Sequence, residues 1–453
     1  MRLLLRYLIL CFFAVNSSLL IAQDSFFLKG EVSHKIDFEF TSNLIIIPVE
    51  INGVTLSFVL DSGVSKPILF NLDERDSLDL KNTKSFYLHG LGGDGRIKAI
   101  KSSHNRFKIG NAVSVNKDLY VVFDKSINFT PRLGVLVHGI IGYDVFKDFV
   151  VEINYMSRYI RLHKTQTFKP KSSKKWRTIP VSIYRNKPYL DAKITINEDE
   201  KPVKLLIDTG SGDALWLFEN KNEGFVPKKD LFFEDYLGKG LSGSVYGSRS
   251  KANSFSLSDF NLNDVNVAFP DSNYVQAARA YKERSGSLGG NILKRFNLFF
   301  DYNNKKLHLK KNRFFKEPFT YNNSGVVLEH HGTMFVREQI SMSPSNDKKT
   351  NTDFNAVRID FSVKHIMVLK PVYKIVELRS SSNAFASGLR VGDILISING
   401  RYAYDYKLPE LNEIFHGKTG KSIKLRVERN GEDKTFKFKL DNAFKKISPH
   451  TEG

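Results

Sequence analysis

Residues 54–63 read VTLSFVLDSG, and residues 203–210 read VKLLIDTG. The aspartates in these runs, Asp61 and Asp208, stand 147 positions apart. The same offset joins a second pair of blocks, GIIGYDVFKDFVVEINY at 139–155 and GSLGGNILKRFNLFFDY at 286–302. It pairs Gly139 with Gly286, Gly142 with Gly289, Phe149 with Phe296 and Tyr155 with Tyr302. A lone D-[ST]-G triplet carries little weight, because average composition gives one in roughly every five to ten chains of this length. Its default reading is a surface β-turn. Two triplets, each behind an apolar run and each followed at one fixed distance by a matching block, mark an internal duplication. The repeated unit runs from about residue 26 to 165 and again from about 176 to 315.

Both copies read as β structure. Val54, Leu56 and Phe58 alternate with Thr55 and Ser57, the period of a strand with one buried face, and Asn52-Gly53 before them is a hairpin turn signal. The approach to each aspartate turns continuously apolar, through Phe58-Val59-Leu60 and Leu205-Leu206-Ile207, which predicts a strand buried on both faces that ends in a turn at Gly63 or Gly210. A carboxylate placed there stands at the end of a rigid core strand. Each copy also holds a glycine-rich patch between its aspartate and its second block. The first contains Gly90, Gly92 and Gly93, and the second contains Gly240, Gly243 and Tyr246. Such patches suit hairpin tips that bend over a ligand, or else plain surface turns.

The chain has 453 residues, a formal net charge of +20 and one cysteine. Two or three domains are expected from the length. The first 22 residues, with Arg2 and Arg6, an apolar stretch from Tyr7 to Val15, and Leu20-Ile21-Ala22, read as a signal peptide cleaved after Ala22. Export to the periplasm, the outer envelope or the medium is therefore expected. The apolar stretch is short for a membrane span. Because Cys11 lies inside this leader, the exported chain would hold no thiol, which excludes cysteine catalysis, thiolate metal sites and disulfides. The lysines are spread along the chain, which argues against nucleic acid. The basic balance suits an anionic envelope surface as a partner, or a merely solvated exterior. No H-E-x-x-H motif occurs, and His330-His331 has no third ligand at a recognisable spacing, so neither metal nor cofactor is expected.

FVLDSG, LLIDTG, the glycine-rich patches and the later steps Ile140-Ile141-Gly142 and Ser287-Leu288-Gly289 together resemble the retropepsin and pepsin-like aspartic proteases. The resemblance covers roughly residues 40–312. It implies two β lobes with a cleft between them, each contributing one aspartate, with the apolar-Gly segment threading beneath it in a ψ-shaped loop. Asp61 and Asp208 would then be the catalytic pair, supported by Ser62, Gly63, Thr209, Gly210 and Ser211, with the glycine-rich patches as flaps and a polypeptide as substrate. With both copies on one chain, an obligate dimer is not required. In the family a hydroxyl after each aspartate ties the base of the site together across the lobes. Ser62 keeps that hydroxyl without the methyl of Thr209, which predicts a looser grip. A second family hydroxyl steadies the carboxylate; Ser211 supplies it in one copy, whereas Val64 stands at the matching place in the other. A less acidic working range than that of a digestive pepsin is expected. Pepsin-like members carry a flap tyrosine. None stands between His89 and Gly95, although Tyr87 precedes the first patch and Tyr246 lies in the second, so the likeness is greater to retropepsin-like bacterial enzymes.

The run VYKIVELRSSSNAFASGLRVGDILISINGR, at 372–401, resembles a bacterial PDZ domain in its S-x-A-x-x-x-G-L-x-x-G-D-x-I pattern. Around it, Ile394 to Ile398 reads as a strand, Pro409 opens a helix with Leu408, Leu411 and Phe415 on one face, and Ile423, Leu425, Val427 and Phe436, Phe438, Leu440 mark two alternating strands. The resemblance implies an extended peptide ligand added to the sheet edge, with Gly325, Val326 and Val327 forming the binding loop. The resulting division is a signal peptide at 1–22, a first protease lobe at 23–165, a basic exposed linker at 166–175, a second lobe at 176–315, a PDZ domain at 316–442 and a tail at 443–453. A disordered insertion is expected from Ser341 to Asp353. An alternative function is a non-catalytic peptide-binding protein on a protease scaffold. A serine protease is disfavoured, since no G-x-S-x-G occurs and Ser65-Lys66 alone is too common a pair to carry one.

Overall fold

The computed structural model describes residues 24–72, 78–93, 95–124, 126–171, 173–340 and 364–444. The expected leader at 1–22 and the expected insertion at 341–353 lie outside the described residues. The molecule is mainly β. Its described residues form two compact units, one reaching to Tyr321 and taking in Asn442–Phe444, the other running from Asn322 to Asp441.

In the first unit each sequence repeat builds a sheet of its own. The first sheet contains β1 (Leu44–Ile51), β2 (Val54–Leu60), β3 (Lys84–His89), β4 (Arg96–Ile109) and β5 (Gly139–Ile141), and the described residues give it nine strands. The Asn52-Gly53 turn joins β1 to β2 as the sequence predicts, with Asn52 at φ 50° and Gly53 at φ 94°. β2 is then flanked on its other side by β5, which runs parallel to it. An apolar strand paired on both edges sits in the middle of a core, and Phe58, Val59 and Leu60 are buried accordingly.

A third sheet holds β6 (Phe149–Asn154), followed by β7 (Tyr159–Lys164). The second repeat restates the plan with β8 (Lys187–Ile196), β9 (Asp199–Asp208), β10 (Phe233–Gly240), β11 (Gly243–Leu257) and β12 (Gly286–Gly289), in a sheet of eight strands among the described residues. β12 runs parallel to β9, as β5 does to β2. β13 (Phe296–Asp301) and β14 (Lys306–Lys311) follow. The two halves are stitched by the antiparallel pairing of β6 with β13, the second blocks of the repeat, in the register Val151↔Phe300 and Ile153↔Leu298. One continuous apolar core runs through both sheets and this shared one.

Two connections carry buried aromatic contacts. The stretch around 166–175 is mostly exposed, yet Phe168 and Trp176 are half-buried against Phe299, with ring centroids 5.2 and 5.1 Å apart, so the linker is pinned to the shared sheet. The expected tail begins with Phe444 buried against Phe233 and Tyr321, because its ring completes an aromatic cluster.

The second unit holds β15 (Val326–Ile340), β16 (Lys364–Leu378), β17 (Ile394–Ile398), α1 (Leu408–Phe415), β18 (Ser422–Arg429) and β19 (Glu432–Lys439), in the sheet order β15-β16-β17-β18-β19. Leu408, Leu411 and Phe415, spaced to share one helical face, are all buried, and Glu410 caps the helix start by accepting from the Lys407 N–H at 2.7 Å. β15 stands at the sheet edge with α1 beside it. Among the described residues no helix is long and apolar enough to cross a membrane.

Candidate active site

The core strands β2 and β9 end at Asp61 and Asp208, and the backbone then turns sharply. Gly63 N–H donates back to Asp61 Oδ1 at 2.7 Å, and Gly210 N–H donates to Asp208 Oδ1 at 3.1 Å. These bonds point each carboxylate toward the other half. The next residues lock the two turns together. Ser62 N–H donates to Thr209 Oγ1 at 2.9 Å and Thr209 N–H to Ser62 Oγ at 3.1 Å. Each hydroxyl passes its own proton across to the strand leading into the opposite aspartate, Ser62 Oγ to the Ile207 carbonyl at 2.6 Å and Thr209 Oγ1 to the Leu60 carbonyl at 2.7 Å. All four groups are buried, so the bonds are not exchanged with water. The expected looser grip is not seen here, since Ser62 makes every bond that Thr209 makes.

The turns are packed to atomic limits. A Cβ on Gly210 would sit 2.3 Å from Asp61 Cγ, and one on Gly63 would sit 3.1 Å from Asp61 Oδ1 and 3.2 Å from Asp208 Oδ1. Gly142, at the end of β5, approaches the Asp61 carbonyl so closely that a Cβ would overlap it. The apolar-Gly steps are therefore the threads that pass directly under the aspartates. Ser211 Oγ lies beside Gly289 and, among the described residues, does not bond the Asp208 carboxylate.

The carboxyls of Asp61 and Asp208 face each other, with Oδ1 of both beside Gly63. Burial and then the neighbouring negative charge push Asp61 up to about 7. Burial also raises Asp208, and the charges of Arg284 and Lys187 partly offset that rise. Such a pair holds one proton between them over a wide range.

Two hairpins carry the glycine-rich patches. β3 and β4 carry one tip, with Gly90, Gly92 and Gly93, and β10 and β11 carry the other, with Gly240 and Gly243 flanking Leu241-Ser242. The tips touch. Ser242 N–H donates to the Leu91 carbonyl at 2.9 Å, Gly90 N–H donates to Ser242 Oγ at 3.1 Å, and Ser242 Oγ donates to the Gly95 carbonyl at 2.8 Å. Gly92, at φ 125°, passes so near the Ser242 carbonyl that a Cβ there would lie 2.0 Å from it. The tip leucines change sides: Leu91 packs on a small cluster of the second sheet around Leu237 and Val245, and Leu241 on a cluster of the first sheet. Tyr87 is exposed, and Tyr246 packs on Tyr236 and Tyr274. Leu91 and Ser242 were missed by sequence reasoning, because their partners come from the other repeat.

The comparisons agree with this geometry. Residues 47–145, from inside β1 through the first apolar-Gly step, match the family model described as aspartyl protease. Residues 345–440 match the PDZ domain model. The chain carries an aspartyl-protease-like domain and a PDZ domain. No curated protein matches it. The aspartyl-protease match ends before Asp208, so the second aspartate rests on the internal repeat and on its placement opposite Asp61.

In the PDZ domain, the loop expected to bind a peptide terminus is largely self-satisfied. Ser324 and Gly325 N–H groups donate to Asn322 Oδ1 at 3.0 and 3.1 Å, and Val326 N–H donates to Ser324 Oγ at 2.9 Å. Val326 is buried and Val327 half-buried at the start of the edge strand β15. His330 packs on the Tyr373 ring at 4.8 Å, and burial lowers its pKa.

Proposed function

We propose that the chain is an aspartic endopeptidase in which Asp61 and Asp208 hydrolyse peptide bonds by activating a water between them. The observation that carries this reading is the reciprocal Ser62–Thr209 clasp, which holds two carboxyls from opposite halves against each other at the floor of one site. Close carboxyls do not ionise together, so at mildly acidic to neutral pH one is charged and one protonated. The ionised member takes a proton from water as it attacks the peptide carbonyl. The protonated member donates to the carbonyl oxygen, giving a tetrahedral gem-diol without a covalent enzyme intermediate. A proton then passes to the leaving nitrogen as the C–N bond breaks. The flap tips over the site exclude bulk water and hold an extended chain beneath them.

The PDZ domain supports a further part of the reading. An extended peptide would add to β15 alongside α1, beginning near Gly325, Val326 and Val327. Export to the envelope or medium, with attraction to an anionic surface, follows from the leader and the basic charge and belongs to the same proposal.

The test is digestion of an unfolded protein by the purified full chain, compared with Asp61→Asn and Asp208→Asn. Loss of at least a thousandfold in each variant is expected; cleavage that survives either change removes that aspartate from the mechanism and leaves the peptide-binding scaffold as the better reading.

A further inference from the structure

The two halves of the cleft differ in charge at matching places. In the β1–β2 ladder Ile46 pairs with Val59, and two residues further on the register sets Leu44 opposite Asp61. In the β8–β9 ladder Tyr189 pairs with Leu206, and the same step sets Lys187, the first residue of β8, opposite Asp208. The residue two places before the first apolar-Gly block is Val137, and its counterpart before the second block is Arg284. One side of the dyad is thus flanked by leucine and valine, the other by lysine and arginine.

Neither cation is paired with a carboxylate by the fold. Arg284 is buried, its Nε donating to the Gly286 carbonyl at 2.9 Å and its Nη2 to Ser287 Oγ at 2.6 Å, and its guanidinium lies 5.1 Å from the Phe218 ring centroid. Ser287 pairs with Leu206 beside the strand end that carries Asp208, so these bonds hold the guanidinium at the site. Lys187 is half-buried and close enough to feel both aspartates and Arg284. Among the described residues, no carboxylate oxygen lies within 4.0 Å of either cation. Burying unpaired charge is costly, and a like-charged pair side by side more so. A dyad holding one proton supplies a single negative charge against these two positive ones, leaving the site one negative charge short.

Resting on the proposed endopeptidase reading, we infer that Lys187 and Arg284 form a subsite for an acidic side chain, so that the substrate carries Asp or Glu at one of the two positions flanking the scissile bond. The other flanking position meets the Leu44 side and takes an apolar residue. An entering carboxylate neutralises the excess positive charge and gains charge-assisted hydrogen bonds to cations already held in place.

The full chain is given a reduced, denatured protein and the cut sites are mapped by mass spectrometry. Expected is an enrichment of Asp or Glu of about tenfold or more at one flanking position, with apolar residues at the other. Paired peptides differing only by Glu or Gln at that position then give a kcat/KM ratio, which Lys187→Leu is expected to cut at least fivefold. Because Arg284 is buried and its replacement risks misfolding, Lys187→Leu carries the test and Arg284→Lys, which keeps charge but loses the fork, supports it. Cut sites without acidic enrichment, or a Glu-to-Gln ratio unmoved by Lys187→Leu, overturn the subsite while leaving the dyad intact. Should the chain cut nothing, binding of the same two peptides to the Asp61→Asn, Asp208→Asn double variant decides it: tighter binding of the Glu peptide that weakens with Lys187→Leu upholds the subsite, and equal binding overturns it.

Discussion

Ser62 and Thr209 exchange backbone-to-hydroxyl hydrogen bonds across the repeat, at 2.9 and 3.1 Å, and neither shows more than 1% of its surface. Because the serine makes every bond the threonine makes, the methyl is dispensable and the hydroxyl is not. Thr209→Ser should keep most of the activity. Thr209→Ala leaves the Ser62 N–H and the Leu60 carbonyl unpartnered in the core, each costing about 1–3 kcal/mol. A lower melting temperature together with a fall in kcat of tenfold or more is expected for the alanine variant, measured against the serine variant as the control for lost volume.

The pH profile follows from the dyad. Catalysis requires one proton on the pair, and the upper titration lies where Asp61 is pushed, at about 7. Activity should therefore persist to near-neutral pH and fall as pH rises through that value, unlike a profile confined to strong acid. Val64 presents no hydroxyl to this carboxylate, and Ser211 at the matching place does not bond Asp208, so Val64→Ser moves the alkaline limb of kcat/KM to lower pH only by turning its new hydroxyl to Asp61 and favouring the ionised form. A limb that stays in place would show that burial alone sets it.

The same raised value has a cost in stability. The folded carboxyl titrates at about 7 against an ordinary 3.8, so between these values the folded state binds more protons than the unfolded one. Stability then falls as pH rises through that window, by up to about 4 kcal/mol. Asp61→Asn abolishes that titration. The inactive variant should be more stable than the parent at pH 7 and similar at pH 4, a crossover that thermal melts at the two pH values would reveal.

Much of this architecture was legible because the duplication places informative residues at a fixed offset. The approach strands, the turns at Gly63 and Gly210, and the Gly142 and Gly289 steps recur in both copies, and local patterning fixes each of them. The helix face of Leu408, Leu411 and Phe415 was legible for the same reason, since one period decides it. What escaped depends on contacts between distant segments. Nothing near Leu91 or Ser242 in the sequence says that the two tips meet, and nothing local to Phe168, Trp176 and Phe444 says that they pack against Phe299 and Phe233. Lys187 and Arg284 were lost among many basic residues, since only strand register distinguishes a cation opposite Asp208 from one in solvent. The looser clasp expected from Ser62 failed because the hydroxyl oxygen, not the methyl, makes the bonds.

The flap tips should behave as one lid. Ser242 supplies three of the bonds that join them, and Leu91 and Leu241 each pack on the opposite sheet. Ser242→Ala removes two of those bonds and leaves the Gly90 N–H without its partner, while Gly92→Ala drives a methyl into the Ser242 carbonyl. Both should raise KM for peptides several-fold, with Gly92→Ala the more severe. Proteolytic nicking or hydrogen exchange at residues 89–93 and 240–243 should rise in parallel, which separates lid opening from damage to the dyad.

In the PDZ domain a single ion pair holds the sheet to its Gly-Asp turn. Asp393 is almost fully buried and receives a forked contact from Arg429, Nε to Oδ1 at 2.6 Å and Nη2 to Oδ2 at 2.7 Å, with the Arg390 N–H donating to Oδ2 at 2.9 Å. A planar guanidinium satisfies both oxygens at once, and a lysine cannot. Arg429→Leu strands a buried carboxylate and should destabilise this unit by about 3–5 kcal/mol, whereas Arg429→Lys should cost less because the charge is kept. Hydrogen exchange on the full chain reads the effect. Amides of β17 and β18 should lose protection in the order leucine variant, lysine variant, parent, while those of β2 and β9, at the base of the dyad in the other unit, stay protected. Equal protection of β17 and β18 in all three proteins would mean that the fork adds nothing beyond the apolar core around it.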